Sequence, residues 1–292
     1  MDSQTKLNIF QLLTIAGIFS VSLPSQAATI EFRGTGSNAA TAFTNYQTAI
    51  GGVNNGAASG SQGSGFRTIN WDGVPLDGSG AGAGIETIVS NKVVTIPDDL
   101  FLNRGTLYDE EYVVSGDGFE SVNSGVAGQF PPFSPNNIFA HFGEDNNEID
   151  QSFTIPGSFQ QAGTRGFGAI FLDVELANTS FIEYFSGSRS LGKFFVDPAN
   201  SGEPSFLGVL FDDPIVTSVE LNLGNNTIFD LQGNTIISGP ADDPLNGIDL
   251  VAVDDFVYAE PVAVNVPEPS LLTAIAVLGG LGISTLLKRQ KL

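Results

Sequence analysis

Between positions 28 and 265 apolar residues recur in short runs with a period of two, and stretches of helical spacing are almost absent. In Leu172-Asp-Val-Glu-Leu176 and Val219-Glu-Leu-Asn-Leu223 apolar and polar residues alternate strictly, which predicts strands with one dry and one wet face. Ala169-Ile-Phe-Leu172 is apolar on both sides and predicts a central strand. β-Branched and aromatic enrichment extends the expectation to strands at 29–33, 66–71, 86–96, 139–142, 149–155, 168–176, 180–185, 191–196, 206–211, 215–223 and 250–258. Asp117-Gly118 and Asn246-Gly247 are turn signals, 41–50 predicts one short helix, and the Gly-rich segment 51–65 predicts a loop with little to pack. There is no internal repeat. Short strands at short spacing predict an all-β fold, an antiparallel β-sandwich of jelly-roll kind rather than a propeller or parallel β-helix.

The two ends follow other rules. Lys6, the apolar stretch 12–21, Pro24 and Ser25-Gln26-Ala27 make the pattern of a secretory signal, predicting a signal helix within 1–27 and cleavage between Ala27 and Ala28. At the other end 271–287 carries no charge and has about the minimum length of a membrane-spanning helix, roughly 17 residues. Lys288, Arg289 and Lys291 follow at once, and the positive-inside rule keeps them cytoplasmic with the body outside. This divides the chain into 1–27, a body at 28–265 and a tail at 266–292.

Composition narrows the partners of that body. From Ala28 to Pro267 seven basic residues face thirty acidic ones, within a net charge of -21 for the 292 residues. Such a surface repels phosphate backbones, so nucleic acid is excluded as a partner and anionic membrane surfaces are disfavoured. With no cysteine, disulfides, thiolate metal sites and cysteine nucleophiles are excluded as well.

Val266-Pro267-Glu268-Pro269, the apolar span and the basic residues Lys288 and Arg289, in that order before the chain end, resemble the PEP-CTERM sorting signal of bacterial exported proteins. The two prolines favour extended, accessible chain at the membrane face. The resemblance implies an exosortase that recognises and removes the tail, in systems tied to exopolysaccharide production; a proline-rich spacer before a permanent anchor is the alternative. Stretches of the body, Phe66-Arg-Thr-Ile-Asn-Trp-Asp-Gly-Val74, Arg165-Gly-Phe-Gly-Ala-Ile-Phe-Leu-Asp-Val174, Ser205-Phe-Leu-Gly-Val-Leu-Phe211 and Val253-Asp-Asp-Phe-Val-Tyr258, resemble a group of PEP-CTERM-bearing secreted domains of unestablished function. The last three are similar to core strands of lectin-like or galactose-binding-like sandwiches, with no ligand motif that carries over. The resemblance implies a non-catalytic surface or extracellular-matrix protein that grips exopolysaccharide. Its partners would be signal peptidase and exosortase, and the membrane, through the C-terminal helix, before processing. It would pass through an inner-membrane intermediate to the cell surface or matrix.

Candidate chemistry is sparse. His141, in Phe139-Ala-His-Phe142, is the sole histidine, and without a Gly-x-Ser-x-Gly elbow it reads as structural. A carboxylate pair for glycoside hydrolysis is the rival reading, a secreted carbohydrate-active hydrolase, but 32 acidic residues leave the pair unspecified. Trp71 beside Asp72 would suit a sugar, whose C–H face stacks on an indole while its hydroxyls meet a carboxylate, unless Trp71 plugs the core. Oxygen-rich clusters at 144–148, Asp212-Asp213, Asp242-Asp243 and Asp254-Asp255 raise the expectation of structural calcium. Asp254 and Asp255 lead, since on an alternating strand one of them faces inward and needs a cation or backbone donors.

Overall fold

The computed structural model describes residues 29–77, 89–143, 147–233 and 235–264. Ala27, Ala28, Pro267, Glu268, Pro269, Lys288 and Arg289 lie outside the described residues, as do the start of the strand expected at 86–96 and part of the acidic cluster at 144–148. Among the described residues no helix is long and apolar enough to cross a membrane.

The protein is all-β, built on two antiparallel sheets numbered here in chain order. The larger sheet runs β1 (Thr29–Thr35), β12 (Pro204–Phe211), β9 (Gly166–Leu172), β16 (Ala252–Ala259), β6 (Ile138–Ala140), β5 (Tyr112–Ser115), β3 (Val93–Ile96), with β2 (Phe66–Ile69) also paired to β16. The smaller sheet runs β11 (Arg189–Phe195), β10 (Phe181–Ser186), β13 (Ser218–Asn222), β7 (Glu148–Phe153), β4 (Thr106–Tyr108). Two small ladders, β14 (Phe229–Gln232) with β15 (Thr235–Ser238) and β8 (Ala162–Gly163) with β17 (Val262–Ala263), complete the set.

Aromatic side chains join the two sheets face to face. Phe153 of β7 meets Phe167 of β9 at 6.2 Å between ring centroids and Tyr258 of β16 at 5.4 Å, and Tyr184 of β10 meets Phe211 of β12 at 5.6 Å. The Tyr184 hydroxyl donates to the Phe167 carbonyl at 2.9 Å, so the polar tip of a wholly buried ring is satisfied across the layer. Strand β9 is buried along its whole length, as its doubly apolar sequence requires.

On the outer face of the larger sheet lies α1 (Ala39–Ile50), which begins two residues before the predicted helix. Ala39, Ala42, Phe43 and Tyr46 form its buried stripe, spaced for one helical face. Tyr46 and Phe206 lie close over Gly208, where an added Cβ would come within 3.0 Å of both rings. Glycine is what lets those rings lie against the backbone there.

The expected strands are present, with shorter or shifted bounds. The 168–176 strand stops at Leu172 because Asp173 turns into the left-handed region at φ 69°, and Trp71 falls outside β2. Strands β4 and β5 have no counterpart in the sequence reading. They are three and four residues long, and the acidic run Asp109-Glu-Glu111 between them interrupts any period.

The smaller sheet carries the acidic surface in an ordered row. Glu183 of β10 pairs with Glu220 of β13, and Glu220 with Asp150 of β7, so three carboxylates stand directly opposite one another; Lys193 meets only the end of the row, 3.2 Å from Glu183. Partial burial, then Glu148, Asp150 and Glu183, raise Glu220 from 4.5 to about 7 against the opposing pull of Lys193. The folded state therefore holds a proton that the unfolded chain has released between those values, and stability falls as pH rises through that window. Glu220→Gln is expected to raise the melting temperature by about 1–4 °C at pH 8, from like-charge terms of about 0.2–1 kcal/mol each, with the gain fading toward pH 5. A gain that persisted at pH 5 would mean that packing, not charge, sets it.

Candidate functional site

Trp71 is fully buried, and this corrects the reading of an exposed sugar platform. Its ring stacks on Phe139 at 4.3 Å and 11° and stands nearly perpendicular to Phe256 at 4.8 Å and to Phe101 at 6.4 Å. Just past the end of β2 the chain turns inward, and the indole fills the space between sheet and loop. Asp72 is likewise structural: one oxygen accepts from the backbone N–H groups of Asn136 at 2.9 Å and Asn137 at 3.1 Å. Asn137 in return donates to the carbonyls of Trp71 and Val74. The turn is thus locked to the 133–137 loop.

Asp254 and Asp255 depart from simple alternation, because β16 bulges against β9 between Val253 and Phe256. Asp255 follows at once, with one carboxylate oxygen buried and without a hydrogen-bond partner. Asp254 is buried and accepts from the Phe133 N–H at 2.6 Å, the Ser134 N–H at 3.0 Å and the Ser134 hydroxyl at 2.9 Å. Of the two ways to satisfy an inward acid, a cation or backbone donors, the fold uses backbone donors for Asp254. Burial and then the Asp254 charge push Asp255 above the usual carboxylate range. His141 is buried with Nδ1 unpartnered, and burial pulls it down to about 4, which keeps the imidazole neutral at physiological pH.

A different set of acids converges. Carboxylate oxygens of Asp173, Glu175 and Asp242 lie within 4.8 Å of one another, the one such group of His, Asp or Glu side chains among the described residues. Asp173 and Glu175 leave the end of β9, while Asp242 comes from the 239–243 loop that follows β15. Alternation does place Asp173 and Glu175 on one side of the chain, but past the turn at Asp173 the alternation of burial is lost: Asp173 and Val174 are both buried and Glu175 half-buried. Gly202 N–H and the Ser201 hydroxyl hold one Asp173 oxygen. Its other oxygen is buried without a partner, as is one oxygen of Glu175.

Below the cluster Asp249 braces the loop, accepting from the Glu175 N–H at 3.1 Å and from the Thr179 hydroxyl. Asp242 accepts from the Leu250 N–H at 2.9 Å. The ion pairs among the described residues involve Arg33, Arg67 and Lys193, none of them with these acids. Burial first, and then mutual repulsion, lift Glu175 to about 8; burial also lifts Asp173 to about 6, with Asp242 and Asp249 adding to it. Asp173 has no exposed surface, so a sugar ring cannot reach that carboxylate. Converging oxygens without counter-charge are instead what a hard cation coordinates. The pair of neighbouring signals, Asp173-x-Glu175 and Asp242-Asp243, is visible in the sequence, but their meeting depends on the sheet order.

The chain matches no protein-family model, no curated protein and no solved structure.

Proposed function

We propose that this is an exported protein, sorted by an exosortase to the cell surface or extracellular matrix, whose non-catalytic body contacts exopolysaccharide. What supports the reading is the order of signals along the chain: the secretory pattern within 1–27, an all-β body, then Pro267-Glu268-Pro269, the uncharged run 271–287 and Lys288 and Arg289. Within the all-β class the body fits an antiparallel sandwich of jelly-roll or lectin-like kind, since the chain passes repeatedly between the sheets: β3 to β4 to β5, and β11 to β12 to β13.

Mass spectrometry of the protein from its native host is expected to find a chain that starts at Ala28 and lacks the tail from 271 onward. Recovery of the intact tail from the surface form would make it a permanently anchored protein. Retention on isolated exopolysaccharide, with no release of reducing ends, is the expected behaviour of the body; sugar release abolished by one carboxylate substitution would point to a hydrolase instead.

A further inference from the structure

We propose that Asp173, Glu175 and Asp242 form a calcium site that ties the end of β9 to the 239–243 loop. Two independent observations meet here. The first is convergence: three carboxylates from two distant chain segments bring oxygens within 4.8 Å of one another. The second is a wholly buried side chain, Asp173, which offers an oxygen to the group and has one oxygen without any hydrogen-bond partner. A buried, unpartnered carboxylate oxygen is costly unless something positive sits against it, and none of the ion pairs among the described residues involves these acids.

The donor set selects the ion. It is oxygen only, with neither histidine nor cysteine in the group, which favours hard cations over zinc, copper or iron. Calcium takes six to eight oxygens in flexible geometry, and it tolerates an irregular set drawn from loops. Magnesium demands near-octahedral order and keeps most of its water. The backbone is already set for such a task. Asp173 is held at φ 69° while Gly202 and Ser201 fix its other oxygen, and Asp249 anchors the Glu175 backbone from beneath. Two acids, Asp173 and Asp242, thus reach the group with one oxygen committed to structure. This preorganisation lowers the entropy lost on binding.

The test uses the full chain in mild detergent, stripped with chelator and titrated with calcium chloride by calorimetry and thermal unfolding. One equivalent is expected to bind, and the melting temperature to rise by about 5–10 °C when calcium is about a hundredfold above its Kd. Glu175→Gln and Asp242→Asn are each expected to abolish most of that rise. In chelator Glu175→Gln should melt no lower than the parent, because an amide of the same shape brings no negative charge beside Asp173 and Asp242; a variant that could not fold without calcium would show that Glu175 has another structural role and overturn the assignment. An absent heat with an unmoved midpoint, an equal rise with magnesium, or a rise that both variants retain would do the same.

Discussion

Replacing Arg67 with methionine is expected to lower stability by about 3–5 kcal/mol, because it leaves a buried carboxylate without its counter-charge. The side chains of Arg67 and Glu260 are 0% and 3% exposed. All five N–H groups of the guanidinium are used. Nε and one Nη2 hydrogen meet the two Glu260 oxygens at 2.8 Å, and the rest go to the carbonyls of Gly56, Asn103 and Gly60. Glu260 in turn accepts from Asn55 and from the Gln62 N–H. A lysine has neither the fork nor enough donors for this arrangement, so Arg67→Lys should recover little.

The consequence should show in two measurements. Thermal unfolding at neutral pH should fall by roughly 6–20 °C in Arg67→Met, and the 51–65 segment should become the first point of proteolytic cutting. The double variant with Glu260→Gln should recover part of the loss, since the orphaned charge is then gone as well. A shift of only a degree or two in Arg67→Met would show that water already reaches the pair.

That ion pair marks a limit of reading the chain by pattern. Segment 51–65 predicts a loop with little to pack, and its own residues offer few apolar contacts; its order comes from polar partners distant in the chain, the Arg67–Glu260 pair 193 positions apart and the carbonyls of Pro156 and Pro261. Period-two alternation made most strands of both sheets legible, because alternation is a local consequence of having one dry face. The same rule failed at Asp173 and at Asp254-Asp255 for one physical reason: a left-handed residue in the first case and a bulge in the second cancel the period where acids occur. Asp173 and Glu175 therefore read as wet-face residues, while Asp173 is buried and Glu175 half-buried. Asp242 reads as part of an oxygen-rich turn, yet only the order of strands brings it to them.

Trp71→Ala is the second large effect, an expected loss of about 3–5 kcal/mol from deleting a fully buried aromatic side chain. The ring is surrounded by Phe139, Phe256 and Phe101, which belong to β6, β16 and the loop before β4, so no single neighbour can move in to refill the cavity. Trp71→Phe is the informative partner. It keeps an aromatic face against Phe139 and removes an indole N–H that has no acceptor, and it should cost less than half as much. Neither variant should alter retention on polysaccharide at a temperature where both are folded, because the indole has no surface to offer. If Trp71→Ala instead kept its melting temperature and lost polysaccharide retention, the ring would have to stand in solvent when ligand binds, and the buried plug would be wrong.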